Sequence, residues 1–289
     1  MTQRLPDWIK RGIINTESTR NVRDILRLHN LNTVCDEARC PNKNECYSNN
    51  TATFLIMGDI CTRNCRFCSI YSGIPKALNP DEPSQIAEAV KKLNLKYVVI
   101  TSVTRDDLPD GGAEHFAKTI KAIKKINSEI KVEVLTPDFK GDKKSIAAVI
   151  DAKPDVFNHN IETIQKLYSS VRPQAKYSMS LELLRFVKNS DPEILTKSGI
   201  MVGFGETLAD LTETLNDLNK NNCDIVTIGQ YIQPTKDHIE VTRYVGPEEF
   251  VNFKKIGIKI GLKHIESAPL VRSSYNAGRI IQDLSIKPD

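Results

Sequence analysis

Six of the seven cysteines in this chain fall in two tight triplets, Cys35-x4-Cys40-x5-Cys46 and Cys61-x3-Cys65-x2-Cys68. Each triplet offers three thiolates. Three soft ligands can hold an iron–sulfur cluster and leave one iron for a substrate or an unusual fourth ligand. Structural zinc takes four ligands, usually from paired C-x2-C or C/H units. Neither triplet has that form, although Cys65-Arg66-Phe67-Cys68 alone matches half a zinc site. A zinc-stabilised binding module is therefore the alternative from another class. Disulfide frameworks belong to small secreted chains, and ordinary buried thiols rarely bunch at spacings of two to five residues. Two clusters side by side point to redox chemistry on an unactivated position.

The bulk composition sets bounds on what surrounds them. At 289 residues, 40% hydrophobic and 26% charged, the chain has the make-up of an ordinary globular protein with a substantial core. A net charge of +4 is too weak to imply nucleic acid, but suits an acidic protein partner. The N-terminal MTQRLPDWIKRG lacks the apolar core of a secretory signal. No apolar run approaches transmembrane length. Iron–sulfur thiolates suit a reducing compartment, so a cytoplasmic location is expected, with neither membrane nor nucleic acid as partner.

The elements that must position the cysteines are legible from the pattern. Residues 1–50 form an extension: an arm in which Trp8 is expected to anchor by packing, a helical stretch near 18–29, then the first triplet in a polar loop. From residue 51 onward, strand and helix patterns alternate. Apolar β-rich runs fall at 53–57, 97–100, 132–135, 155–157, 199–202 and 225–228. Amphipathic helical patterns lie at 84–93, 113–126, 145–150, 181–188 and 208–219, with Pro83, Asp110 and Asp142 where helices should start. Six βα units in a row predict an α/β fold, a partial (β/α)6 TIM-like barrel short of the eight units of a full one.

In such an architecture the site lies where strands end and loops begin. Each predicted strand is followed there by polar residues. They are Asp59 and Cys61–Cys68, then Thr101-Ser-Val-Thr-Arg-Asp-Asp107, Thr136-Pro-Asp138, Asn158-His-Asn-Ile-Glu162, Gly203-Phe-Gly-Glu206 and Gln230-Tyr-Ile-Gln-Pro-Thr235. Any one of these could be a helix cap. All six at strand ends form a constellation.

Cys61-x3-Cys65-x2-Cys68 at the first strand end has the spacing of the radical S-adenosylmethionine (SAM) superfamily, which the chain resembles. The resemblance implies that these cysteines hold a [4Fe–4S] cluster whose fourth iron binds SAM. It also implies that Phe67 lies beside the adenine. The remaining SAM contacts follow the strand ends. Thr104 and Arg105 stand where the superfamily often carries Gly-Gly-Glu. That sequence is absent here, so hydroxyl and backbone groups of 101–104 would substitute. Asn160 and Glu162 suit the ribose hydroxyls, Arg172 a carboxylate, and Gln230 the adenine edge.

The first triplet narrows the resemblance further. Cys35, Cys40 and Cys46 lie upstream of Gly58-Asp-Ile-Cys-Thr-Arg-Asn-Cys-Arg-Phe-Cys68, and Arg272-Ser-Ser-Tyr275 lies near the C-terminus. Together with Asn158-His-Asn-Ile-Glu-Thr163, Val171-Arg-Pro173 and Gly229-Gln-Tyr231, this is similar to the lipoyl synthase family from Pro6-Asp-Trp8 to about Gly278. The resemblance implies insertion of two sulfur atoms, at C6 and C8 of a protein-bound octanoyl-lysine chain. The sulfur source would be an auxiliary [4Fe–4S] cluster on Cys35, Cys40 and Cys46, with a serine of Arg272-Ser-Ser-Tyr275 as its fourth ligand, Ser273 being chosen over the alternative Ser274. It divides the chain into an auxiliary-cluster extension (1–50), a radical SAM partial barrel (51–267) and a C-terminal segment closing the site (268–289).

The implied partners are octanoylated lipoyl-carrier domains, namely 2-oxoacid dehydrogenase subunits and the glycine-cleavage carrier protein. An electron donor such as flavodoxin or ferredoxin and a cluster-repair protein would serve them. A two-cluster radical enzyme adding sulfur to tRNA is the nearest rival. Such enzymes spread their auxiliary cysteines over a separate N-terminal domain and usually add an RNA-binding domain. Cys223 reads as a buried thiol, and His29 and His264 as structural. His159, between two polar candidates, is the histidine worth testing.

Overall fold

The computed structural model describes residues 5–9, 17–48 and 52–285. The apolar runs become strands because they are covered on both faces, by the barrel interior and by helices outside, so they need not alternate. In chain order the strands are β1 (Asn32–Thr33), β2 (Thr53–Ile56), β3 (Ile60–Cys61), β4 (Tyr71–Ser72), β5 (Tyr97–Ser102), β6 (Lys131–Leu135), β7 (Val156–Asn158), β8 (Leu195–Val202), β9 (Ile225–Gln230) and β10 (His264–Ser267). The main sheet runs β1-β2-β5-β6-β7-β8-β9-β10. From β2 to β10 every neighbouring pair is parallel, and only β1 lies antiparallel, against β2. β3 and β4 form a separate two-stranded ribbon flanking the second triplet. The edges β1 and β10 are not paired with each other, so the barrel is open.

The six expected strands are all present. β10 adds a seventh parallel strand, preceded by the helix Pro247–Ile260. The sequence hid this unit. Gly257 interrupts the helical pattern, yet a Cβ there would sit 1.8 Å from Ile265 Cδ1, so the glycine lets the helix lie directly on β10. β10 itself reads His-Ile-Glu-Ser and buries Ile265 fully.

The helix starts follow local chemistry. Asp142 accepts from the backbone of Lys144 and Ser145 at the head of Lys143–Asp151, and Asp110 accepts from Gly112 and Glu114 at the head of Ala113–Ile126. The extension joins the main core through Val22 and Leu26 of the helix Glu17–Leu28. Trp8 is not the anchor of the arm. It stays 47% exposed while Ile9 beside it is 4% exposed.

Because the strands are parallel, their C-terminal ends share one rim. Below that rim the interior carries a buried polar floor. Lys197 Nζ donates to both carboxylate oxygens of Glu133 (2.9 and 3.1 Å), which also accept from Asn158 Nδ2 and Tyr97 OH. A buried pair of this kind survives only when its remaining hydrogen-bonding capacity is met. Among the described residues, no helix is long and apolar enough to cross a membrane.

Candidate active site

A cavity of about 520 Å³ opens at the rim, and all six triplet cysteines line it. Phe67, Thr104, Asn160, Glu162, Arg172 and Ser273 share the same wall. The cavity therefore gathers both triplets, the loops after β5, β7 and β9, and the C-terminal segment into one place.

The second triplet lies in a loop bonded across the rim. Thr62 N and Oγ1 both donate to the Thr104 carbonyl, and Cys61 Sγ accepts from the backbone N–H of Thr104 at 3.3 Å. On the other side Arg66 N donates to Val171 O, Ile239 N donates to Arg66 O, and His238 Nε2 donates to the Cys68 carbonyl at 2.9 Å. Phe67 packs with Val171, Phe204 and Tyr231, the last two stacked at 4.4 Å. His238 was not marked by the sequence, and Tyr231 was marked only as part of the run after β9, not as a partner of Phe67. Their signal would have been the strand-free stretch after β9, whose backbone polar groups need partners.

The first triplet is tied to the far end of the chain. Asn42 Nδ2, between Cys40 and Cys46, donates to Leu270 O at 2.7 Å. Tyr275 OH donates to Glu45 Oε1 at 2.8 Å. Ser273 Oγ donates to Asn160 Oδ1 at 2.9 Å, and Asn160 Nδ2 donates to Glu162 Oε1 at 3.0 Å. Two strand glycines make room for this segment. A Cβ on Gly229 would stand 2.0 Å from the Val271 carbonyl oxygen, and one on Gly199 would stand 2.8 Å from Ser273 Oγ.

The electrostatics are those of a dry site. Burial pushes the Cys35 and Cys68 thiols up to about 12, and raises Cys65 despite the pull of Arg172. Such thiols become ligands only when a metal supplies the compensating charge, which fits iron–sulfur ligation. Among the described residues no three His, Cys, Asp or Glu side chains converge as a single-ion site. Glu162 is also raised by burial, against the opposing charge of Arg172, and holds a left-handed φ of 66°. A non-glycine residue kept in that region is over-determined by its surroundings, as residues at functional sites often are. Arg172 is held by Tyr168 OH and the Asn160 carbonyl, while its Nε and the hydroxyls of Ser102 and Thr136 have no hydrogen-bond partner along the cavity wall. Buried groups of this kind call for a partner, and a polar ligand that reached them would supply one.

Two expected SAM contacts are placed elsewhere. Arg105 forks onto Asp107 and reaches the Met57 carbonyl, outside the cavity wall. Gln230 is fully buried, bonded to Tyr231 O, Arg243 O and Val245 N, and serves as an internal tie for the loop after β9. His159 lines the cavity, but its ring is committed. Nδ1 donates to Thr136 O, and Nε2 accepts from Ser180 Oγ, which is bonded in turn to Tyr168 OH. Burial, with Arg172 adding to it, pushes its pKa down to about 4, so it is a neutral orienting group. Cys223 is a buried thiol raised by burial, remote from the cavity.

Known proteins show similarity at both levels. The radical SAM superfamily profile matches residues 55–218. Lipoyl synthase from Rubrobacter xylanophilus is 52% identical, across 96% of this chain and 87% of that protein. Lipoyl synthase from Caldanaerobacter subterraneus is 55% identical, across 96% of this chain and 97% of that one. Among solved structures, SuiB of Streptococcus suis bound to S-adenosylmethionine superposes with a TM-score of 0.59 at 12% identity, over 79% of this chain and 55% of that one, which speaks for the fold. With a superfamily match over more than half its length and full-length relatives above half identity, this chain belongs to the lipoyl synthase family of the radical SAM enzymes, which use S-adenosylmethionine and a [4Fe–4S] cluster.

Proposed function

We propose that this enzyme inserts two sulfur atoms, at C6 and C8, into an octanoyl chain carried on a lysine of a lipoyl-carrier domain. Cys61, Cys65 and Cys68 hold the [4Fe–4S] cluster that binds SAM, and Cys35, Cys40, Cys46 and Ser273 hold an auxiliary [4Fe–4S] cluster. The observation that carries the reading is that both cysteine triplets and Ser273 face one cavity. Bound there, the first cluster, given SAM and one electron, would supply hydrogen-abstraction chemistry at an unactivated carbon, and the second would supply sulfur.

The chain's own residues then position and exclude. Phe67, with Tyr231 and Phe204 behind it, offers an aromatic wall for the adenine. Asn160 and Glu162 suit the ribose, and Arg172 a carboxylate, with Thr104 beside them. Ser273 would be a hard oxygen ligand among soft thiolates on that cluster, and so the most readily released of the four. The division of labour follows the chain: residues 1–50 for the auxiliary cluster, 51–267 for radical chemistry, and 268–289 for closure.

An eight-carbon chain has few polar handles, so binding energy must come from the carrier surface. The partners are thus octanoylated subunits of 2-oxoacid dehydrogenases or the glycine-cleavage carrier. Flavodoxin or ferredoxin supplies electrons and a repair protein restores the auxiliary cluster, in a cytoplasmic setting. The test is mass spectrometry of an octanoylated carrier domain after anaerobic incubation with SAM and reductant. Two sulfurs replacing two hydrogens are expected, with free octanoate left nearly untouched. Equal turnover of free octanoate would sink the carrier requirement, and a product with no added sulfur would sink the reaction.

A further inference from the structure

Arg63 lies between the first two cysteines of the second triplet, off the cavity wall. Its guanidinium makes two forks. Nε and Nη2 donate to the two oxygens of Asp106 at 2.7 and 3.0 Å, and Nη1 and Nη2 donate to those of Asp138 at 2.7 and 2.6 Å. Asp106 follows β5 and Asp138 follows β6, so one side chain joins the ends of three strands adjacent in the sheet, β2, β5 and β6. Arg63 is 7% exposed and Asp138 1%, whereas Asp106 keeps 24% of its side chain in solvent.

The backbone around it is equally committed. Arg63 N–H points at Cys61 Sγ (3.4 Å), its carbonyl accepts from Ser72 Oγ on β4, and Asp106 N donates to Thr62 Oγ1. Asp138 is in turn fixed by the backbone N–H of Lys140, and Lys140 Nζ reaches the Asp106 carbonyl. Among the described residues, each other bond holding this loop to its neighbours uses a neutral donor or a backbone group. A planar guanidinium is suited to this because its rigid fork fixes orientation as well as distance.

We infer that Arg63 is a positioning residue that indexes the second cysteine triplet to the strand ends, fixing the separation of Cys61 and Cys65 through its two forks to Asp106 and Asp138. The inference rests on those cysteines being cluster ligands, and it adds a supporting shell of the kind that orients metal ligands elsewhere.

The test uses the full chain, reconstituted anaerobically as wild type, Arg63→Lys and Asp106→Asn. Iron and sulfide are counted, and the electron paramagnetic resonance of the reduced protein is titrated with SAM. A lysine keeps the charge but cannot make two forks. Arg63→Lys should retain the auxiliary cluster, while the SAM concentration for half-maximal spectral change rises about tenfold or more. Asp106→Asn should show a smaller rise, because both bonds to Asp138 remain. It also decides the matter alone if Arg63→Lys does not fold, since Asp106 is partly solvated. Wild-type SAM titrations in both variants would overturn the inference. So would loss of iron from both clusters in step with a lower melting temperature in Asp106→Asn, which would mean general support of the fold. A wild-type protein without a SAM-responsive cluster would instead overturn the ligand assignment itself.

Discussion

Ser273 Oγ donates to Asn160 Oδ1 at 2.9 Å, joining the C-terminal segment to the loop after β7 across 113 positions of sequence. The bond aims the hydroxyl into the cavity that holds both triplets, and it sets the first expectation. Ser273→Ala should still assemble a cluster on Cys35, Cys40 and Cys46, because three thiolates hold it, but lipoyl product should fall sharply. Ser273→Cys should keep full iron and also lose product, since a fourth thiolate resists dismantling. Product per chain, with iron counted in each variant, checks this. Wild-type yield from Ser273→Cys would remove the serine from the ligand set.

The two triplets should also separate genetically. Wild-type protein should carry about eight irons by cubane stoichiometry. Cys61→Ala should abolish SAM cleavage and keep the auxiliary cluster. Cys40→Ala should keep cleavage to 5′-deoxyadenosine and lose sulfur insertion. Chromatographic quantification of 5′-deoxyadenosine beside iron analysis reads both. Loss of the same cluster in both variants would merge the two sites into one.

Gly229→Ala and Gly199→Ala should differ in kind. At Gly229 the new methyl meets a backbone carbonyl 2.0 Å away, which cannot rotate aside. Overpacking of that sort costs about 1–3 kcal/mol, so the melting temperature should drop and the C-terminal segment should become protease-sensitive. At Gly199 the methyl meets side-chain atoms of Asn160 and Ser273 at 2.7 and 2.8 Å, which can turn. Stability should change less, while product yield falls because Ser273 is displaced. Limited proteolysis and thermal melts of both variants decide.

His159 contributes a pH-dependent term of known sign. Burial holds its folded pKa down to about 4, below the ordinary histidine value of about 6.5, so the unfolded chain binds the extra proton first. The stabilisation is therefore complete above about pH 6.5 and is lost as pH falls from there toward 4. The full span is on the order of 3 kcal/mol. Urea unfolding of the metal-free protein at pH 7.5 and pH 5 should show the loss, and His159→Gln should flatten it. An unchanged pH slope in that variant would show that the titrating group is another one.

The site was legible in the sequence wherever chemistry was written in short spacing. The cysteine triplets, parts of the polar runs after β5, β6, β7 and β9, and the Arg272–Tyr275 motif line one cavity, whereas the run Gly203–Glu206 after β8 does not. What escaped was long-range pairing. Nothing local marks Arg63 as the partner of Asp138, 75 positions away, or His238 as the partner of the Cys68 carbonyl, 170 away. Arg105 lies off the cavity wall because Asp107, two residues on, captures its fork. Gln230 is turned from the cavity because its amide satisfies backbone groups of the irregular stretch after β9. The βα unit ending in β10 escaped because Gly257, a sign of close packing, reads in sequence as a helix breaker.

The ties Asn42–Leu270 and Tyr275–Glu45 have a consequence for biosynthesis. On the ribosome the six thiols emerge first, and Ser273 follows Cys68 by 205 residues. At elongation rates of about 5–20 residues per second, that is a delay of roughly 10–40 s. During that interval the nascent chain presents both ligand triplets without the strap that later covers them. Delivery of iron and sulfide thus has a natural window before synthesis ends, and oxidative damage to the thiols has the same window.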